Sequence, residues 1–350
     1  MSLLPQGWES GAAGGAPPST VVGALAAHAP PSLIAPPAWR RIESFVSTLP
    51  AAFFWGIFEC RLAPADERVD MLLCASRRHG GDGALGRALE GGAHRFGPIT
   101  PFLQAWVEPD GPLADVPLIW IEHDLLAEGP SAPFVQFCVD PSYPVAHETP
   151  LEPSRLRALA ARGAGLLLGE PANDGAMDRL AACAARLPEG GRIVHVGVIP
   201  HRGSRDLRVL AGVPTFAVQG WLAAIGWPGD QAIAADFLSL LGAHVPLASV
   251  QLDLGDAVRP TLALEFPLLT RPDRDPRWSA FIESLVARGL ASPEKGRAAL
   301  GWIGDATYDL PGAPWLTNVQ RQLDIKLVLS ADGTCEAKAY LCFHPRFVLL

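Results

Sequence analysis

The feature of this sequence that most constrains its fold is a fivefold recurrence of paired strand-like segments. In each pair, two short stretches rich in apolar residues are separated by a brief polar or Pro/Gly break, as in a hairpin. The pairs cover residues 53–62 and 69–76, 117–125 and 134–140, 193–202 and 207–212, 247–255 and 261–266, and 322–330 and 335–344. Asp332-Gly333 supplies the turn signal of the last hairpin. A chain of this kind must find antiparallel partners for ten strands.

Helical segments lie between the strand pairs. Pro153 and Pro293 stand near helix starts, where a missing amide hydrogen costs little, and Asp230 and Ser292 are predicted N-caps. The predicted helices cover residues 39–48, 85–106 with breaks at Pro98 and Pro101, 152–168, 176–187, 215–225, 230–241, 275–288 and 292–302. Helix, helix, strand, strand therefore recurs about five times, at intervals of roughly 55–75 residues.

This order of elements favours an α+β fold in which five ααββ repeats form a ten-stranded antiparallel β-barrel surrounded by helices. A parallel sheet would alternate single strands with single helices, which the chain does not do. Closure into a barrel leaves no strand edge exposed, whereas an open antiparallel sheet with one helical layer is the alternative. Residues 1–36, rich in Ala, Gly and Pro, are predicted to form a flexible arm, and residues 37–350 a single domain.

Alternation along each strand predicts which side chains face the barrel lumen. In the last hairpin, Ala337, Ala339 and Leu341 share one face, and Lys338 and Tyr340 lie on the other. Applied to all five hairpins, the pattern predicts which charged side chains lie in the lumen. The acidic ones are Glu59, Asp70, Glu122, Asp124, Asp253, Glu265, Asp324 and Glu336, and the basic ones are Arg61, Arg208, Lys326 and Lys338. A ten-stranded barrel is too wide for side chains to fill, so we expect a ligand cavity.

Composition excludes several classes of function. The net charge of −8, from 36 acidic and 28 basic residues, argues against nucleic-acid binding, which needs clustered cations. No apolar stretch reaches the roughly 18–20 residues of a membrane span. The six cysteines include no CxxC pair, which favours reduced thiols and a cytoplasmic location over disulfides or structural zinc.

The repeat architecture resembles the ABBA, or PT-barrel, aromatic prenyltransferases over roughly residues 38–347. Glu59 matches the acceptor-binding glutamate on the first strand of that family. Lys338-Ala339-Tyr340 matches a Lys-x-Tyr step, and Arg208 and Arg77 fit further basic positions. The chain departs from the pattern at Gln136-Phe137-Cys138 and Ala263-Leu264-Glu265, and it has only three tyrosines.

The resemblance implies an enzyme of natural-product biosynthesis that moves a dimethylallyl or geranyl group from its diphosphate to a small aromatic or peptide acceptor. Glu59 would be the general base, and Arg208, Lys326 and Lys338 would offset the charge of the diphosphate. Tyr340, Trp120 and Trp55 would shield the allyl cation. Glu122, Asp124, Asp253 and His195 complete the expected binding residues. The chain contains no Asp-Asp-x-x-Asp box, so a metal-independent mode is expected, with magnesium possible but not required.

The excess of acidic over basic residues in the predicted lumen leaves other functions open. Eight carboxylates suit a cationic ligand such as an amine, a guanidine or a basic peptide side chain. The chain can therefore also be a non-catalytic barrel that binds a peptide or cationic metabolite, or a PT-barrel lyase or cyclase. Pairing of Lys326 and Lys338 with Asp324 and Glu336, and of Glu59 with Arg61, is the purely structural interpretation of these charges.

Overall fold

A computed structural model describes residues 16–126, 129–140, 151–200, 203–241, 245–268, 270, 272, 274–313 and 315–347 of the protein, without the side chains of residues 93–95, 241 and 347. Within these residues the strands are β1 (Trp55–Arg61), β2 (Val69–Ser76), β3 (Leu118–Leu126), β4 (Gly129–Pro130), β5 (Phe134–Cys138), β6 (Arg192–Val198), β7 (Leu207–Pro214), β8 (Leu247–Leu254), β9 (Val258–Pro267), β10 (Gly304–Tyr308), β11 (Thr317–Leu329) and β12 (Cys335–Phe347).

The α-helices of the same residues lie between the hairpins, as predicted. They are α1 (Pro18–Leu25), α2 (Pro36–Val46), α3 (Gly81–Glu90), α4 (Thr100–Val107), α5 (Pro153–Leu168), α6 (Asp174–Ala184), α7 (Val218–Ala224), α8 (Gln231–Leu241), α9 (Arg277–Ala287) and α10 (Pro293–Trp302). Short 3₁₀ turns cover Ala26–His28, Arg77–His79, Ala93–Ile99 and Thr215–Ala217. Across the described ranges, no helix has the length and apolar character needed to cross a membrane.

Ten of the described strands close into an antiparallel barrel, in the order β1-β2-β3-β5-β6-β7-β8-β9-β11-β12. Pairing of β12 with β1 and of β9 with β11 leaves none of these ten as an edge. The short strands β4 and β10 add to β3 and β11 at the margins. The predicted PT-barrel fold is confirmed, and the open-sheet alternative is wrong.

The helices cover the outside of the barrel, where they bury the apolar face of the strands. The apolar side chains between the strands and the helices form a hydrophobic core, here called the outer core. It includes Ala337, Ala339 and Leu341 of β12. On α10, the indole nitrogen of Trp302 donates a hydrogen bond of 2.9 Å to the carbonyl of Cys342. Because helices occupy the apolar side, the polar side of each strand is left to face the lumen.

Local signals set the helix boundaries. The Asp230 carboxylate accepts hydrogen bonds from the backbone nitrogens of Ala232 and Ile233, at 2.8 and 3.1 Å. The Ser292 hydroxyl accepts one from the backbone nitrogen of Lys295 at 3.1 Å. Both predicted N-caps are therefore confirmed.

The N-terminal segment differs from the predicted flexible arm in the part that the structure describes. Pro18–Leu25 forms α1, and the side chains of Val22 and Leu25 are completely buried in the outer core. Proline at the first helical turn and apolar residues on one face give this short helix a start and a surface to bury. The remainder of the predicted arm, residues 1–15, lies outside the described residues.

A β-bulge on β6 corrects the predicted alternation at one place. The register with β7 shifts between Ile193 and His195, so that Val194 and His195 both line the lumen. Because its neighbour His195 is predicted to face the lumen, strict alternation predicts that Val194 lies on the outer face. A bulge inserts one extra residue into the strand and changes the direction of the side chains beyond it.

Gly163 on α5 allows the helix to approach the barrel wall closely. A Cβ atom at Gly163 would lie 2.3 Å from Cζ of Phe137 on β5. We therefore expect Gly163→Ala to lower the free energy of unfolding by about 1–3 kcal/mol through overpacking, as measured by chemical denaturation.

Gly220→Ala on α7 is the matched control, because nothing lies within 4 Å of a Cβ atom at that position. It should be neutral or stabilising by up to about 1 kcal/mol, as expected for a helical glycine replaced by alanine. Equal effects at the two positions would contradict close packing of α5 on Phe137.

Candidate functional site

A cavity of about 90 Å³ lies in the barrel lumen. Each of the ten barrel strands contributes at least one lining side chain. The lining residues are Trp55, Ile57, Leu72, Trp120, Gln136, Val194, His195, Leu210, Ser249, Gln251, Glu265, Pro267, Asp324, Lys326 and Tyr340. The expected lumen cavity therefore exists, but it is much smaller than the roughly 300–1,000 Å³ of pockets for drug-sized ligands.

Aromatic side chains occupy much of the remaining lumen. The rings of Trp55 and Trp120 meet edge to face, with centroids 5.3 Å apart. Both pack against a buried cluster that contains Ile57, Leu72 and Tyr340. The sequence predicted that Trp55 and Trp120 face the lumen, but not that their packing would leave so small a cavity.

Two larger hollows lie on the outer surface and share no lining residue with the lumen cavity. One, of about 430 Å³, is lined by described residues between Asp140 and Ile193 in the sequence. The other, of about 490 Å³, lies between Pro31 and Arg297. Neither contains any of the predicted site residues, so the lumen remains the candidate site.

Lys326 of β11 and Tyr340 of β12 form a hydrogen-bonded pair on the cavity wall. The Lys326 ammonium donates to the Tyr340 hydroxyl and to Oε1 of Gln251, both at 2.8 Å. Burial lowers the pKa of Lys326, against the opposing charges of Glu59 and Glu265. Within the described part of the chain, Lys326 is the one lysine or arginine that lines the cavity. The ion pair of Lys326 with Asp324 suggested by the sequence does not form.

Glu59 of β1 is an ionised carboxylate held between two cations. Its Oε1 lies 2.8 Å from the Lys338 ammonium and 3.3 Å from the Arg61 guanidinium. Burial favours the neutral acid, but Lys338, Arg61 and Lys326 outweigh it and lower the pKa of Glu59. Glu59 does not line the cavity itself. Tyr340, which is directly opposite Glu59 in the register of β1 and β12, does line it.

The other predicted lumen cations are also matched by carboxylates. The Lys338 ammonium lies 3.4 Å from Glu336, as the sequence suggested. Arg61 is hydrogen-bonded to Asp70. These pairs reduce the large cost of enclosing charges away from water.

Arg208 and Asp253 form a two-pronged ion pair between β7 and β8. They are directly opposite in the strand register, and the guanidinium donates to both carboxylate oxygens at 2.8 and 3.0 Å. Burial disfavours the charged guanidinium, but Asp253 outweighs it and raises the pKa of Arg208. Neither side chain lines the cavity, so both lie beside the expected substrate position rather than at it.

Glu122 and Asp124 lie on β3, away from the cavity lining. Glu122 is buried, and its charge helps to raise the pKa values of Arg208 and Tyr340. Asp124 is half-buried and stands opposite Asp70 in the register. Burial, with the charges of Glu59 and Asp124, raises the pKa of Asp70.

His195 lines the cavity as a neutral imidazole. Burial lowers the pKa of His195 to about 3, so this side chain does not supply a cation near neutral pH. Alternation beyond His195 predicts His201 as a further lumen histidine, but that residue lies outside the described residues. Among the residues that the structure describes, no group of three or more His, Cys, Asp and Glu side chains has the arrangement of a metal site.

Two carboxyl groups that sequence reasoning placed in the lumen, but not in the site, line the cavity. Neither Glu265 nor Asp324 has an ion pair within 4 Å among the described residues. Burial and the charge of Glu265 raise the pKa of Asp324 to about 8, and burial, only partly offset by Lys326, raises the pKa of Glu265. Alternation identified both positions as internal, but it could not show which lumen acids lack a cation.

Arg77 is not part of the lumen, in contrast to the expectation from the sequence. Its Nε donates to the carbonyl of Val116 at 3.1 Å, and its guanidinium lies 5.2 Å from the ring centroid of Trp106 on α4. The side chain thus joins the outer helical layer to the barrel and is not positioned to hold a diphosphate.

The closed barrel of ten antiparallel strands surrounded by helices places the protein in the PT-barrel fold class. Among solved structures, the protein is similar to the prenyltransferase PriB in its apo form, with a TM-score of 0.54 and 14% sequence identity. The match covers 92% of this chain and 94% of that chain, and at this identity it shows a common fold. No protein-family model and no curated protein sequence matches the chain.

The raised pKa of Asp324 predicts a pH dependence of stability. The folded protein keeps a proton on Asp324 up to about pH 8, whereas an unfolded chain releases it near pH 3.9. The free energy of unfolding should therefore fall as the pH rises from about 4 to 8. Asp324→Asn should be more stable than the wild type at pH 8 by about 1–3 kcal/mol, a figure limited by screening from cavity water, and similar to it at pH 4.

Denaturation at both pH values measures this difference. Asp305→Asn on β10, where the side chain is exposed, is the control and should change stability by less than about 0.5 kcal/mol at either pH. An effect of Asp324→Asn that is the same at pH 4 and pH 8 would contradict a buried, protonated carboxyl group.

Proposed function

We propose that the protein transfers an allylic prenyl group from its diphosphate to a small aromatic or peptide side-chain acceptor in the barrel lumen. The observation that carries this proposal is the combination of Lys326 and Tyr340 with the Trp55–Trp120 pair around one cavity. A cation and several aromatic rings in one small space suit a reaction that forms an anion and a carbocation together.

The proposed chemistry follows from the position of each group. Breaking the allylic C–O bond leaves a diphosphate anion, whose charge the Lys326 ammonium offsets. The allyl cation is stabilised by the faces of Trp55, Trp120 and Tyr340, at about 0.5–2 kcal/mol for each contact. The acceptor then forms the new bond and loses its proton.

Glu59 receives that proton through Tyr340. Tyr340 stands directly opposite Glu59 in the register of β1 and β12 and lines the cavity, so its hydroxyl can accept a proton from the acceptor side as it gives its own to the carboxylate. Glu59 is ionised, and the acceptor is a strongly acidic cation once the new bond has formed, so a carboxylate of low basicity can still take its proton. In this scheme the role of Tyr340 as a relay replaces direct contact of Glu59 with the acceptor.

The size and charge of the cavity indicate which prenyl donor it favours and which cation would bind the diphosphate. A volume of about 90 Å³ is too small for a donor and an acceptor together, so lumen side chains must move when they bind. The five-carbon dimethylallyl group requires less displacement than the ten-carbon geranyl group. Asp253 and Glu59 already neutralise much of the charge on Arg208 and Lys338, so Lys326 would supply most of the attraction for the diphosphate. Three further parts of the proposal rest on sequence arguments. Independence from metal rests on the missing Asp-Asp-x-x-Asp box, a cytoplasmic location on the cysteine pattern, and a role in natural-product biosynthesis on the resemblance.

A second candidate function is a non-catalytic barrel that holds a cationic metabolite or a basic peptide side chain for a partner enzyme. The pairing of Arg208 and Lys338 with carboxylates favours this function, because it leaves little free positive charge for a diphosphate. Binding of diphosphates separates the two candidates.

Titration calorimetry with dimethylallyl and geranyl diphosphates provides that separation. Dimethylallyl diphosphate should bind more tightly than geranyl diphosphate, and Lys326→Met should weaken its binding at least about tenfold, the loss of one charge-assisted contact. Lys326→Arg keeps the charge and is the matched control, expected to retain most of the affinity. Absence of binding of either diphosphate at millimolar concentration to folded wild-type protein would exclude prenyl transfer.

The role of Glu59 predicts a loss of rate without a loss of donor binding. With dimethylallyl diphosphate and a panel of aromatic acceptors, Glu59→Gln should lower kcat by about 10²–10⁴-fold, the usual contribution of a general base. The affinity for dimethylallyl diphosphate should change by less than about threefold, since the carboxylate does not line the cavity.

Asp140→Asn is the control for loss of a buried carboxylate. Asp140 is 2% exposed and pairs with Arg192 at 2.9 Å, away from the lumen cavity. This variant should keep the wild-type kcat. Mass spectrometry of the products measures both variants, and an equal loss of rate in the two would assign a purely structural role to Glu59.

A further inference from the structure

Carboxyl groups without a cation beside them are concentrated on one side of the lumen cavity, on β9 and β11. Glu265 and Asp324 both line the cavity, and neither has an ion pair within 4 Å in the described parts of the chain. The other lumen carboxylates that have defined ion pairs, such as Glu59 and Asp253, lie outside the cavity lining. The cavity therefore has an acidic wall of its own.

The strand register makes the lack of a partner for Glu265 notable. Lys326 is the residue directly opposite Glu265 across β11 and β9, where an ion pair between the two would be the simplest arrangement. Instead, the Lys326 ammonium donates to Gln251 and Tyr340. The space in front of Glu265 is thus left to the cavity.

A buried hydroxyl group next to Glu265 also lacks a partner. Ser249 stands opposite Glu265 in the register of β8 and β9, lines the cavity and is only 7% exposed. Its hydroxyl makes no hydrogen bond with the described residues. Since buried polar groups are nearly always hydrogen-bonded, Ser249 points independently to a ligand in this cavity.

We infer that Glu265, Asp324 and Ser249, together with the rings of Trp55 and Trp120, form a binding site for a small organic ammonium ion. Glu265 supplies negative charge, as does Asp324 once the bound cation causes it to release its proton to solvent. Both carboxylates accept hydrogen bonds from N–H groups, and the Ser249 hydroxyl accepts another. The indole rings attract the cation through their faces. A ligand with a primary amine is thus the class that satisfies these three oxygen-bearing groups of the cavity.

This site deepens the proposed transfer by assigning an amine-bearing acceptor to it, and in that role it rests on the proposed function. The binding of an ammonium ion does not depend on diphosphate. The same cavity would also serve the non-catalytic barrel, which makes amine binding and diphosphate binding separate questions with separate answers.

Titration calorimetry with three probes of similar size tests the site: propylammonium, propan-1-ol and tetramethylammonium. Propylammonium should bind at least tenfold more tightly than propan-1-ol, which has the same shape without the charge. Tetramethylammonium, which has charge but no N–H group, should fall between them. Equal affinities for propylammonium and propan-1-ol would overturn the assignment.

Variants assign the effect to the named residues. Glu265→Gln and Asp324→Asn should each weaken propylammonium binding at least tenfold, and Ser249→Ala by about threefold. Glu283→Gln on α9, where the side chain is exposed, controls for general loss of negative charge and should leave binding unchanged. Thermal denaturation identifies any variant that fails to fold, and Ser249→Ala, the smallest change, keeps the test available in that case. Unchanged affinity in all three lumen variants would refute the site.

The outcomes distinguish this inference from the proposed function. Propylammonium binding without dimethylallyl diphosphate binding supports the ammonium site and removes the transferase. Diphosphate binding without preference for propylammonium over propan-1-ol removes the ammonium site and leaves the transferase in place.

Discussion

The pairing of β9 with β11 is the interaction on which the rest of the structure depends. It joins the fourth hairpin to the fifth over Leu262–Pro267 and Asp324–Leu329 and, with the pairing of β1 and β12, turns a sheet into a closed wall. Once the wall is closed, successive side chains of each strand lie alternately under the helices and in the lumen. Closure therefore converts a simple alternation of residues into an enclosed, charged interior.

Enclosure in the lumen makes the pairing of each charged side chain decisive for its chemistry. A carboxylate or ammonium removed from water is costly unless an opposite charge compensates it, and the barrel meets this requirement unevenly. Glu59 and Asp253 lie against cations, whereas Glu265 and Asp324 face the cavity without one. Glu59 and Asp253 therefore belong to a structural network of ion pairs in the barrel wall, whereas Glu265 and Asp324 are available to a ligand. All four residues nevertheless follow the same sequence pattern.

The sequence predicts the barrel well because its information is periodic and local. Five hairpins, their turns and the N-caps at Asp230 and Ser292 all depend on near neighbours along the chain. The bulge that turns Val194 inward depends on the register with β7, and the volume of the cavity depends on how Trp55 and Trp120 pack. The partners of individual lumen charges likewise depend on distances between strands far apart in sequence. These features arise only from the assembled barrel, so the residues of the site were predictable as lumen residues but not by role.

A crystal structure of the protein with dimethylallyl S-thiolodiphosphate, a slowly reacting analogue of the donor, and propylammonium tests the central claim most directly. Our account predicts the diphosphate beside Lys326, the allyl group against Trp55 and Trp120, and the ammonium between Glu265 and Asp324. A lumen that stays filled by its own side chains, with the ligands bound on the outer surface or not at all, would contradict it.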